Sequence, residues 1–380
     1  MISGLKRHIA RHVKNLSGWR TDRKIVVIES DDWGSIRMPS KQVYQRCLKA
    51  GYRVDKIAYE RYDSLASEDD LELLFGLLKT VKDQNGNAPV LTANILTANP
   101  DFDKIKASGY REYFYELITK TFGRYPKHSN CLNLWKIGRR EGIFYPQSHG
   151  REHVNVSLFM NALQQGDEDV LFAFENRMAG SIPKSNPMQG NHFVESLRYT
   201  NQHDKEQKLS FVLEGLDLFE DLMGYRSETF IPPNYIWSPD YDESMAQKGI
   251  RYYQGHRKMR EPLFDGSIRM NRHRLGEENK FGQKYLVRNA MFEPAMFNAN
   301  QNPVGSCLQD ISAAFRMNKP AVICSHRLNY VGFIEQRNRD RNLRMLKELL
   351  SEITKRWPQV EFLNSVQLGN MMVKENGRDI

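Results

Sequence analysis

The sequence predicts an α/β protein, a parallel sheet whose strands alternate with, and are covered by, helices. Three observations carry this expectation. Apolar runs of strand length recur along the chain, segments of helical periodicity fall between them, and no break in composition divides the 380 residues. That length suits one α/β barrel with insertions. A composition 40% hydrophobic and 11% aromatic supports a large core and excludes a disordered chain. Cys47, Cys131, Cys307 and Cys324 are scattered without CxxC spacing, which fits reduced thiols rather than a disulfide framework or zinc knuckle. With no run of about 18 apolar residues and no unbroken apolar signal core, the expected location is cytoplasmic.

The elements follow in order. Residues 1–22 read as a basic amphipathic segment, with Ile2, Leu5, Ile9, Val13 and Leu16 at helical spacing among Lys and Arg, and they supply part of the formal charge of +9. Such a helix either touches an anionic membrane face peripherally or packs on the outside of the barrel with its basic face solvated. The second reading is preferred, because so short a stripe binds membranes weakly. Nucleic acid is not an expected partner, since no RNP-like, zinc-finger or helix-turn-helix signature accompanies the charge. Residues 23–375 read as one barrel domain.

Within it, Lys24–Glu29 is an apolar strand. Helices are predicted near Lys41–Ala50 and over Glu68–Val81, the second opening with acids as a helix N-terminus should. Ala88–Asn94 reads as a strand, Tyr110–Thr121 as a helix and Gly142–Pro146 as a short strand. Helices follow near Ser157–Gln165 and Lys205–Met223. Further strands are expected at Thr229–Ile231, Ile250–Tyr253, Tyr285–Met291, Ala321–Ser325 and Val360–Leu363, with helices near Asp240–Gln247, Cys307–Phe315 and Asn338–Ile353. The polar stretch Met178–His203, with two Pro and two Gly, is a long loop of the functional kind.

Chemistry concentrates at strand ends. Asp31-Asp32 closes the first strand, where α/β proteins build their sites. A pair of acids alone is weak evidence: Asp69-Asp70 matches it and reads as the acidic first turn of a helix. His149 and His153 follow the strand ending at Pro146, and four-residue spacing on a helix lets two imidazoles share a metal. His8 and His12 have the same spacing but no strand tip or acid beside them, and read as structural. His326 ends the strand from Ala321. Together these give two imidazoles and a carboxylate for a divalent metal, with one carboxylate and one imidazole left over, a set suited to metal-assisted hydrolysis.

These residues resemble the polysaccharide deacetylases with a NodB homology domain, carbohydrate esterase family 4. Glu29-Ser-Asp-Asp-Trp-Gly34 looks like the family's Thr-Phe-Asp-Asp-Gly with a Trp inserted, and His149-Gly-Arg-Glu-His153 is similar to its His-Ser/Thr-x-x-His. Phe230-Ile-Pro-Pro-Asn-Tyr235 echoes Arg-Pro-Pro-aromatic-Gly, and Cys324-Ser-His326 echoes Leu-x-His. The matches run in family order and span residues 24 to 326.

The resemblance implies a distorted (β/α) barrel, usually seven-stranded, removing acetyl groups from sugars with one divalent ion. That ion is zinc first, with cobalt, nickel or manganese as alternatives. By the match Asp32, His149 and His153 are metal ligands, Asp31 the general base and His326 the acid. Pro233, Tyr235, Trp237 and Arg288 are the candidates for substrate contact. Departures are also plain. Ile231 stands where the family has an arginine that orients the base, so Arg226 or Arg288 must serve. Gly150 replaces a Ser/Thr that braces the metal loop, and Cys324 a Leu of the acetyl pocket. The expected activity is deacetylation of an N- or O-acetylated sugar or glycan precursor. The competing readings are a non-catalytic carbohydrate-binding barrel, or an amidohydrolase acting on another C–N bond.

Overall fold

A computed structural model describes residues 11–180, 184, 193–297 and 300–376. Ile2, Leu5, His8 and Ile9, and much of the predicted loop 178–203, lie outside the described residues. The strands, in chain order, are β1 (Lys24–Trp33), β2 (Leu91–Ile95), β3 (Ala98–Pro100), β4 (Tyr115–Leu117) and β5 (Phe144–Ser148). They continue as β6 (Thr229–Phe230), β7 (Tyr252–Gly255), β8 (Lys258–Pro262), β9 (Ile268–Arg272) and β10 (Lys284–Val287). The last are β11 (Ala290–Met291), β12 (Ala321–His326) and β13 (Val360–Leu363).

All pairings in the main sheet are parallel, in the order β10-β7-β6-β5-β2-β1-β12-β11. The two ends of this order belong to one run of chain. Arg288 N–H donates to the carbonyl of Gly255, the last residue of β7, and Asn289 N–H to the Val322 carbonyl in β12. Lys284–Met291 therefore leaves one sheet edge and joins the other. Taken as a single stave, it makes seven strands, the number the family resemblance implies, and it leaves the sheet without two free edges. β13 pairs with Lys24–Val27 of β1, on the edge that β2 occupies further along.

β1 is the hub, and its alternation explains what it delivers. Val26 and Ile28 pack with Leu71, Leu74, Leu308 and Leu346 of the surrounding helices. Ile25 and Val27 join Phe230, Tyr253, Leu286 and Val322 on the other face. Glu29 and Asp31 continue that second parity, so the same period that builds the core carries carboxylates toward the barrel mouth.

Most predicted elements stand within a few residues. The exceptions have local causes. Tyr110–Thr121 is not one helix: Tyr110 sits at φ 62° after Gly109, and β4 pairs antiparallel with β3 before a short helix, Ile118–Gly123. Its periodic aromatics pack against Phe102 and Phe174, so tertiary contacts override the pattern. Tyr285–Met291 is two strands because Arg288 marks the change of edge. Helices Cys131–Arg140 and Glu168–Glu175 and the β8–β9 hairpin had no counterpart in the sequence reading. In the described part of the N-terminal segment, Arg11 and Lys14 reach Asp310 at 3.0 and 3.2 Å while Val13 and Leu16 stay exposed. The basic face meets the protein there, the reverse of a packed apolar stripe. Among the described residues no helix is long and apolar enough to cross a membrane.

Candidate active site

The end of β1 does not run straight. Its register against β2 shifts between Ser30 and Trp33, a β-bulge, and Asp32 sits at φ 73°, a conformation that aspartate and asparagine tolerate better than most residues. Trp33 anchors the bulge. Its ring packs edge-on to Phe144 at 5.0 Å and its indole N–H donates to Ser30 Oγ at 3.0 Å. The inserted tryptophan is thus a core residue that fixes the turn. The bulge sends the two adjacent carboxylates to different neighbours.

Asp31 lies opposite His326 in the β1–β12 register, with His326 Nε2 3.6 Å from Asp31 Oδ2. Arg288 holds Asp31 from below through both terminal nitrogens, each at 2.7 Å, while its Nε donates to Glu29 at 2.6 Å. Asn94 adds a bond to Asp31 Oδ1 at 2.7 Å. Burial alone would raise the Asp31 carboxyl. The charge and hydrogen bonds of Arg288 outweigh it, with His326 and His149 helping, and hold the group well below its ordinary value.

Of the two arginines considered for holding Asp31, Arg288 does so, whereas Arg226 is exposed and paired with Glu220. Arg288 is also corrected as a substrate contact, since its side chain is fully buried and committed to Glu29 and Asp31.

His326 has its own partner. Its Nδ1 lies 2.5 Å from Glu293 Oε1, and Asn329 holds the other Glu293 oxygen at 2.6 Å. Burial opposes a charge on His326, but the Glu293 carboxylate, with Asp31 behind it, holds the imidazolium well above the usual histidine value.

Asp32 faces His149 and His153, their Nε2 atoms 3.4 and 3.5 Å from Asp32 Oδ1. The three ligand atoms lie within 4.8 Å of one another. The histidines are not on a helix. They sit in an irregular loop after β5, and the next helix begins only at Val156, capped by Asn155. Gly150, at φ 106°, turns the chain between them, and Ser148 Oγ accepts its N–H at 3.2 Å in place of a side-chain brace at 150. The Arg151 carbonyl accepts the N–H groups of Thr97 and Ala98, tying the loop to β2–β3.

The donor set fits a divalent ion. His149 Nδ1 donates to the Ile231 carbonyl at 2.8 Å, so its neutral form turns an Nε2 lone pair toward Asp32. Burial pushes His153 down to about 4, leaving it neutral at pH 7, and its Nδ1 is buried without a partner. One carboxylate oxygen and two imidazole Nε2 atoms that converge on it make a donor set of the kind that holds a divalent cation.

These groups open onto one cleft of about 440 Å³, lined also by Arg37, Ile57, Tyr59, Asn234, Tyr235, His256, Met291 and Met296. Tyr235 is on this wall, its hydroxyl accepting from Arg288 at 3.2 Å and its ring 4.3 Å from His256. Pro233 and Trp237 are corrected. Pro233 is buried behind Pro232, and Trp237 packs against Phe230, Tyr241 and Tyr253 with its N–H on Asp242. A strand-parity argument would have found Glu29. Nothing local marks Glu293, Asn94, His256 or Arg37 as site residues.

No family model matches the chain, and no curated protein matches it by sequence. Solved structures similar to it include one from Mycobacterium smegmatis described as a polysaccharide deacetylase (10% identity, 95% of this chain and 94% of that one, TM-score 0.44). An allantoinase, PuuE, shares 11% identity over 93% of this chain and 91% of its own, with a TM-score of 0.46. A family 4 pseudoenzyme from Bacillus anthracis shares 9% over 91% and 66%, with a TM-score of 0.37. Likeness at this level leaves the chemistry to be argued from the residues of the site.

Proposed function

We propose that this chain is a metal-dependent hydrolase that removes an acetyl group from an N- or O-acetylated sugar or glycan precursor. One observation carries the reading. A ligand set, Asp32, His149 and His153, and an oppositely poised pair, ionised Asp31 and protonated His326, open onto the same cleft. Asp32, His149 and His153 would hold the ion, which when bound supplies Lewis-acid polarisation of the acyl carbonyl and a more acidic water.

The chain's own groups account for the proton traffic. Asp31, kept ionised and oriented by Arg288 and Asn94, accepts the proton of the water that adds to the acyl carbon. His326, kept charged by Glu293, donates a proton to the departing nitrogen or oxygen as the acyl bond breaks. Products are acetate and the free amine or alcohol. A pure binder has no need of a base, and Asp31, held ionised in the cleft opposite His326, supports catalysis over the non-catalytic reading. Zinc is the first ion to test, since imidazole and carboxylate suit it.

The test is acetate release from a panel of acetylated sugars with added Zn²⁺, comparing wild type with Asp31→Asn and His326→Ala. Release by the wild type, falling by roughly 10²- to 10⁴-fold in each variant, supports the reading. Undiminished release in either variant contradicts its assigned role, and no release from any sugar contradicts the activity.

A further inference from the structure

Arg37 carries the one permanent positive charge among the described residues that line the cleft. Its guanidinium is four-fifths buried, yet it makes no hydrogen bond within the described residues. Glu60 Oε1 is 3.3 Å from Nε without hydrogen-bond geometry. The Arg37 Nε is buried without an acceptor, which is costly, and its terminal nitrogens face the cleft without a hydrogen bond to the described residues.

The acidic neighbours of Arg37, namely Glu60, Asp32 and Asp63, stabilise its charge, but none of them takes a hydrogen bond from it. Asp63 is taken by Arg327 through two bonds of 3.0 and 2.9 Å, and Asp32 faces the two histidines. Burial raises the Glu60 carboxyl, which weakens it as a partner. The side chain is nonetheless held in place, because Tyr59 presents its ring face to the guanidinium at 5.3 Å. The same ring meets His326 edge-on at 5.5 Å. Tyr59 therefore lies between Arg37 and His326 on the wall of the cleft, and Arg37 also senses the charge of Asp32.

We infer that Arg37 is a specificity residue that receives an anionic substituent, a carboxylate or phosphate, on the sugar part of the substrate. This rests on the deacetylase reading for the word sugar, but the anion subsite is separately testable. A planar guanidinium with both terminal nitrogens free matches either anion in a two-point contact. The sequence placed Arg37 five residues beyond Asp32, so the loop that supplies the base and a ligand also supplies the recognition charge.

The experiment compares three probes on Zn²⁺-supplemented protein: N-acetylglucosamine, N-acetylglucosamine 6-phosphate and N-acetylmuramic acid. Calorimetry gives binding and acetate release gives KM and kcat, for wild type, Arg37→Gln and Arg37→Lys, with melting curves to confirm folding. At least one charged sugar is expected to bind roughly tenfold or more tightly than the neutral one. Arg37→Gln should bring the ratio near one through KM, and Arg37→Lys should restore part of it. Which charged sugar gains tells phosphate from carboxylate. Selective binding lost in Arg37→Gln without acetate release would sustain the subsite while removing the deacetylase reading. Acetate release with no preference for charge would do the reverse. Equal affinity for all three, or no binding of any, overturns the inference.

Discussion

Arg288 grips Asp31 through both terminal nitrogens at 2.7 Å, from the point where the chain passes from one barrel edge to the other. The residue at which the chain changes edge is also the residue that holds the Asp31 carboxylate, the proposed base. Removing Arg288 leaves Glu29 and Asp31 buried and unbalanced. Arg288→Met is expected to destabilise the fold by about 3–5 kcal/mol, the usual effect of breaking a buried pair from one side. Arg288→Lys keeps the charge but loses the fork, so it should fold and lose kcat/KM by roughly two orders of magnitude. Melting temperature and steady-state kinetics check both. Lys activity equal to wild type would show that Asp31 needs only a charge.

In the proposed mechanism Glu293 sets the basic limb of activity. His326 is held well above 6.5 by Glu293, so its protonated form should persist into alkaline pH. With Glu293→Gln the supporting charge is gone and burial works unopposed by it, so the basic limb of kcat should move toward lower pH. An unmoved limb means that the titrating group is not His326.

The second acidic pair behaves as a helix cap. Asp70 accepts the Ser67 N–H at 2.9 Å and the Gly332 N–H at 3.0 Å, and pairs with Arg339 at 3.0 Å, whereas Asp69 meets only exposed Lys127. Asp70→Ala should lower stability by about 1–3 kcal/mol and Asp69→Ala by less than about 0.5, with metal uptake unchanged in both. Chemical denaturation distinguishes them.

Lys319 ties the segment before β1 to the barrel foot by donating to the Gly18 and Trp19 carbonyls. Burial, with Arg20 nearby, pushes its amine down to about 8 from 10.5. The unfolded chain then binds this proton more tightly than the native one, so stability should rise as pH climbs from about 8 toward 10.5. The rise is at most about 3 kcal/mol over that window and should vanish in Lys319→Met. A flat wild-type curve over that window contradicts the assignment.

Strand positions were legible because a buried parallel strand writes its own pattern, and Asp31, Asp32, His149, His153 and His326 stand at or just beyond such strands. His149 and His153 converge on Asp32, but not by the helical spacing from which their proximity was expected. A glycine turn and backbone bonds from Thr97 and Ala98 bring it about. Arg288 could be nominated but not chosen over Arg226, since only the return of Lys284–Met291 to β12 decides which arginine lies under Asp31. Glu293 and Asn94 carry no local mark because their roles depend on contacts 33 and 63 residues away.

The central claim is that Asp32, His149 and His153 form a cation site. Equilibrium dialysis against Zn²⁺, followed by elemental analysis, measures it directly for wild type, Asp32→Ala and His153→Ala. The expected result is about one ion per wild-type chain, with loss in both variants while their folds persist by circular dichroism. A wild type that takes up no ion, or variants that retain it as well as wild type, would contradict the account.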